Sequence, residues 1–217
     1  MKVHFIMGEG FDANVFLIEA EKPILIDTGT GWNTAKAVRT IEQHIDPKEI
    51  DSIILTHRHI DHVGGAAELS HVCQAQLYAS IDEAPPLIHG DKATTGATMF
   101  SIPFDKLDVS ILRYDDEVDL GDAKLKIIHT PGHTMGSISL YHEQTGSLFS
   151  GDTVFADGGV GRWDFETGSY RQLLASIEML KDLGPRNLYP GHGPYVEKDA
   201  TEHIKTSLKF LRYAEIL

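Results

Sequence analysis

The chain has 217 residues, a length that suits one domain around a single core. Its 41% hydrophobic and 24% charged residues are those of an ordinary globular protein. A net charge of −13 repels phosphate backbones and argues against a nucleic-acid partner, and a lone cysteine, Cys73, excludes an internal disulfide.

The N-terminal stretch MKVHFIMGEG lacks the apolar core and small-residue cleavage site of a signal peptide. No apolar run reaches the length of a membrane span. A soluble, cytoplasmic protein with no membrane partner is expected. Residues 3–7, 14–19 and 24–27 read as strands ending in turn residues. Residues 33–45 read as a helix with Ala37, Val38, Ile41 and Ile45 on one face. A short apolar strand follows at 52–55, then a polar loop over 56–62, a helix over 63–72 and a strand at 76–79. Residues 81–108, with Pro85, Pro86 and Pro103, read as a short helix and a long irregular loop of the kind that often carries function.

The second half repeats the strand pattern at 111–114, 117–120, 124–129, 137–142 and 147–150, with a hairpin turn over 120–123. A helix is expected over 169–183, capped by Ser169 and closed by Gly184, with Leu173, Ile177, Leu180 and Leu183 on one side. A last strand at 187–189 precedes a helix over 198–217 with Ile204, Leu208 and Leu211 inward. Strands followed by helices, twice over, suggest two β-layers with helices outside them, in a single domain spanning 1–217.

The sharpest signal is Thr56-His57-Arg58-His59-Ile60-Asp61-His62, just after a strand. In an extended segment, residues i and i+2 project the same way, so His57 and His59 can share one metal ion. The adjacent Asp61 and His62 point differently and can reach a second. Imidazole nitrogen and carboxylate oxygen are ligands that zinc takes. Three more ligand types sit where an apolar strand runs into a glycine-containing turn: His133, Asp152 and His192. The remaining histidines, His4, His44, His71, His89, His142 and His203, read as structural or surface residues, and His129 as a packing residue near the site.

This pattern resembles the metallo-β-lactamase superfamily. The family's H-x-H-x-D-H signature matches residues 57–62, its later ligands match His133, Asp152 and His192, and its strand-end aspartate matches Asp27. The resemblance implies an α+β fold, a four-layered αββα sandwich. It implies a first metal on His57, His59 and His133, a second on Asp61, His62 and His192, and Asp152 bridging them. Asp27 would support a ligand without touching metal. Two zinc ions are expected, with iron or manganese as alternatives.

A hydroxide shared by two such metals would be the nucleophile, with Asp61 orienting it and carrying a proton. No G-x-S-x-G elbow competes with that reading. The segment Gly161-Arg162-Trp163-Asp164-Phe165, followed by Gly168, resembles the glyoxalase II-like and persulfide dioxygenase-like branches. Arg162 and Asp164 there are read either as supports for the ligands or as a surface ion pair. His59 stands where the flavo-diiron branch has Glu. The residues after His192 suffice for one helix, where full-length glyoxalase II carries a helical domain that helps bind glutathione. The resemblance therefore implies a hydrolase of a small-molecule thioester, lactone or related ester, with the 81–108 segment over the substrate. The alternative is a mononuclear iron persulfide dioxygenase, against which Val160 counts, because that branch often has Cys there.

Overall fold

The structure is a computed structural model and describes residues 1–214. By its contacts the chain forms two compact units. The first comprises Met1–Arg113 with Val118–Lys124, and the second comprises Tyr114–Glu117 with the residues from Leu125 on.

The first unit is built on a six-stranded sheet: β1 (Lys2–Ile6), β2 (Val15–Glu19), β3 (Ile24–Ile26), β4 (Ser52–Leu55), β5 (Gln76–Ser80) and β6 (Val109–Leu112), side by side in chain order. β1, β2 and β3 pair antiparallel, while β3 through β6 run parallel. Parallel strands need crossovers, and helices supply them. These are α1 (Thr34–Ile41), α2 (Ile60–Val63), α3 (Ala66–Cys73), α4 (Ala84–His89) and α5 (Ala97–Phe100). β3 and β4 are buried along their whole length, which is why they read as apolar runs without alternation. Leu25, Ile53 and Leu55 from the sheet pack with Ile41, Val63, Leu69 and Leu87 from the helices.

The second sheet has the order β11-β10-β9-β8-β7. Its strands are β7 (Glu117–Asp119), β8 (Lys124–His129), β9 (Ile138–His142), β10 (Ser147–Gly151) and β11 (Asn187–Pro190). β8, β9 and β10 pair antiparallel and β10 with β11 parallel, the latter joined through α6 (Tyr170–Asp182). Leu173, Ile177 and Leu180 of α6 bury against Leu148 and Leu188, together with Ile204, Leu208 and Leu211 of α7 (Ala200–Ala214). The Ser169 side chain caps α6 by accepting the Gln172 N–H, and Gly184 takes the left-handed conformation just past its end.

Several expectations need correction. The segment 56–62 is not a loop throughout: the chain bends at Thr56 and His57, is extended at His59 and turns helical at Ile60, so Asp61 and His62 lie on α2. The helix expected over 63–72 is α3, set off from α2 by Gly64 and Gly65. The 81–108 segment holds two short helices, the second flanked by left-handed Gly96 and Ser101. The last helix starts at Ala200, and the portion expected over 215–217 lies outside the described residues. Among the described residues no helix is long and apolar enough to cross a membrane.

Candidate metal centre

In the first unit the ligand-type residues lie between the end of β4 and the end of α2. Ile60 is fully buried, and its N–H donates to the Thr95 carbonyl at 2.8 Å, which fixes where the extended segment becomes helix. The His57 and His59 rings lie 4.8 Å apart and nearly perpendicular. The first turn of α2 then carries Asp61 and His62, with His62 Nε2 3.8 Å from Asp61 Oδ2.

Side chains brace this segment from several directions. Asp27, at the end of β3, receives the Thr56 N–H on Oδ1 and the Thr56 hydroxyl and His62 Nδ1–H on Oδ2, each at 2.8 Å. Thr28 donates both its N–H and its hydroxyl to the His62 carbonyl, at 2.8 and 2.7 Å. Between the two histidines, Arg58 is buried and pairs with the fully buried Glu83. Its Nε donates to Oε2 at 2.6 Å, its own N–H to the same oxygen at 2.9 Å, and its guanidinium also to the Asp82 carbonyl at 2.8 Å. Gly64 permits the close approach beneath: a Cβ there would stand 2.2 Å from the Thr30 carbonyl oxygen.

In the second unit each ligand-type residue ends a different strand. His133 follows β8, Asp152 follows β10 and His192 follows β11. Asp152 Oδ2 lies 3.6 Å from His133 Nε2 and 3.5 Å from His192 Nε2. The His133 ring is set by main chain: its Nδ1 contacts the Arg162 carbonyl oxygen at 2.6 Å. A carbonyl only accepts, so Nδ1 carries a proton, and a neutral ring then presents the lone pair of Nε2. Gly161 makes that contact possible, because a Cβ there would stand 1.9 Å from the Asp152 carbonyl oxygen and 2.9 Å from His133 Nδ1.

The Arg162 side chain takes no part in this. Its guanidinium meets Asp164 at 2.9 and 2.8 Å and lies over the Phe165 ring, with both charged side chains exposed. Arg162 holds the Asp164 carboxyl below its usual pKa. The surface-pair reading holds for these side chains, and the support comes from the Arg162 backbone.

The seven residues fall into two groups, and within each the ligand atoms all lie within 4.8 Å of one another: His57, His59 and His133, and Asp61, His62, Asp152 and His192. Nitrogen and carboxylate donors without a thiolate suit zinc, iron or manganese. His62 and His133 each give their Nδ1–H to an oxygen acceptor, as metal-ligating histidines do. The donor set therefore fits a pair of metal ions. Cys73 stands apart: it is buried, and burial pushes its thiol up to about 11, so it is no nucleophile at neutral pH.

Other histidines have local partners. His4 stacks on His44 and reaches Glu19 at 2.7 Å, His142 meets the Thr145 hydroxyl at 2.7 Å, and His203 accepts the Asp157 N–H at 2.8 Å. His129 stacks on Tyr114. Sequence reasoning missed the Arg58–Glu83 brace and also Asp12, a buried carboxylate that accepts the Thr30 N–H and an Asn33 amide N–H. Neither stands in a spacing that marks a site.

Residues 8–192 match the profile described as the Metallo-beta-lactamase superfamily. A probable metallo-hydrolase of Methanocaldococcus jannaschii is 37% identical, over 91% of this chain and 96% of that one. The hydroxyacylglutathione hydrolase GloC of Haemophilus influenzae is 30% identical, over 90% of this chain and 92% of its own length. The crystal structure of TTHA1623 in a di-iron-bound form superposes with a TM-score of 0.75 at 28% identity, covering 96% of this chain and 97% of that one.

Proposed function

The chain belongs to the metallo-beta-lactamase superfamily, and on that premise we propose a two-metal hydrolase acting on a thioester, lactone or related small ester. His57, His59 and His133 would hold one ion, Asp61, His62 and His192 the other, and Asp152 both. One observation carries the reading: two groups of donor atoms, each gathered within 4.8 Å, one of imidazoles alone and one of mixed imidazole and carboxylate. The Asp152 oxygen, 3.6 and 3.5 Å from a histidine nitrogen of each group, supports its bridging role.

When bound, metal ions there would lower the pKa of water toward about 7 and polarise the substrate carbonyl. The protein's own residues orient and exclude. Asp61, only partly exposed, lies on the first turn of α2 with its carbonyl held by the Ala13 N–H at 3.1 Å. From there its carboxylate orients the attacking water and takes up the proton it releases. Buried His57, His62 and His133 keep their rings fixed, so no reorganisation is needed during the reaction.

The GloC match supports a thioester as the first substrate to test, because it extends over 92% of a relative named for hydroxyacylglutathione. Zinc is the metal we assign, and the di-iron form of TTHA1623 makes iron the first alternative. The test is hydrolysis of a 2-hydroxyacyl thioester and of a small lactone by the zinc-loaded protein. Turnover of either, abolished by a chelator and restored by zinc, is the expected result. Oxygen consumption with a glutathione persulfide and no ester hydrolysis would overturn it.

A further inference from the structure

Asp27 is a buried aspartate with φ +60, a conformation that costs a non-glycine residue energy and is kept where surrounding contacts demand it. Those contacts are the three donors on its carboxylate, two from Thr56 and one from His62. An ionised carboxylate only accepts, so the single hydroxyl proton of Thr56 is committed to Asp27. The same hydroxyl oxygen lies 3.1 Å from His57 Nδ1. With its proton spent, the hydroxyl can only accept there, and the imidazole must carry its proton on Nδ1. The opposite tautomer would set two lone pairs against each other, or draw the proton back and leave the 2.8 Å Thr56–Asp27 contact without a hydrogen.

We propose that Thr56 is a positioning residue: its hydroxyl relays the Asp27 carboxylate to His57, so that one buried acid presents the Nε2 of a histidine in each metal group. His62 is held directly and His57 through the relay. This rests on the metal-centre reading above, yet its first readout, the location of a ring proton, needs no turnover. The relay also explains why the residue before the first histidine is a hydroxyl amino acid. A valine would fill the same space and break the link.

The tests use the full chain, stripped of metal for ring NMR and loaded with zinc for affinity. Long-range 1H–15N spectra of the metal-free protein should show both His57 and His62 as Nδ1–H tautomers. Thr56→Val should release His57 into a tautomer mixture and leave His62 as it was. Stepwise competition with a chelator should then show one of two zinc sites weakened by about 10–100-fold, the range for losing a hydrogen-bond partner of a metal ligand. Thr56→Ser should restore that site, and Asp27→Asn should weaken both. A wild-type His57 protonated on Nε2 overturns the relay, as does a Thr56→Val protein with both zinc affinities unchanged, or a Thr56→Ser protein that fails like the valine variant. If Thr56→Val does not fold, the wild-type ring measurement decides alone. Should no ester be hydrolysed while the ring protons sit as described, the hydrolase reading falls and the relay stands.

Discussion

The two units supply ligand-type residues by different means. The first presents four in a six-residue segment and holds them with side chains: Asp27 on His62, Thr28 on the His62 carbonyl, and Glu83 on the Arg58 between two histidines. The second presents three at the ends of separate strands and holds His133 with backbone, through the Arg162 carbonyl and the bare Cα of Gly161. A contiguous segment has no strand register to fix each ligand, so neighbouring side chains must do it. Separate strand ends inherit their placement from the sheet and need only room for the chain to turn. Side-chain substitutions around the first unit's segment should therefore matter most there, and backbone-shape substitutions in the second.

The largest effect is expected at Asp61. Asp61→Asn keeps the shape but removes the proton acceptor, so kcat on the active ester should fall by about 10²–10⁴-fold. Circular dichroism should not change, because the residue is on a partly exposed turn. Near-full activity in that variant would remove Asp61 from the proton-transfer step.

Glu83→Gln tests the side-chain bracing itself. It leaves buried Arg58 without its charge partner, and removing one member of a buried pair costs about 3–5 kcal/mol of stability. Urea unfolding of both proteins reads this directly, and a loss near zero would mean that the brace is idle. Gly161→Ala probes the backbone side. Overpacking of this kind costs about 1–3 kcal/mol. It should also loosen zinc held through His133, read by chelator competition, since the added methyl would meet both the Asp152 carbonyl oxygen and, at 2.9 Å, His133 Nδ1. Least is expected of Arg162→Ala. Among the described residues its exposed side chain pairs only with Asp164 and Phe165, and the carbonyl that meets His133 remains, so activity and zinc affinity should both be unchanged. A marked loss of either would shift the support of His133 from backbone to side chain.

Much of this is legible in the sequence, for a physical reason. Metal ligation requires particular side chains, so His57, His59, Asp61, His62, His133, Asp152 and His192 stand out by residue type and by their place at the ends of apolar runs. The strands of both sheets and α6 are legible from apolar runs and caps. Contacts made by backbone are not: nothing in Arg162 announces that its carbonyl matters more than its guanidinium. Long-range pairs are equally hidden, since Glu83 looks like any surface glutamate until it is found beneath Arg58. The turn of α2 escapes a sequence reading because four residues, two of them polar ligand types, are too few to show a helical period. The second short helix of the 81–108 segment lies between Gly96 and Ser101, whose left-handed backbones delimit it without leaving an apolar pattern.

Everything proposed for the site depends on both groups of residues holding metal. Elemental analysis of protein purified without added metal, with the count taken per chain, settles that point. Two ions per chain are expected, zinc in the first instance, falling to one when His59 in the imidazole group is replaced by alanine. One iron per chain, accompanied by oxygen uptake with a persulfide, would refute the two-metal centre.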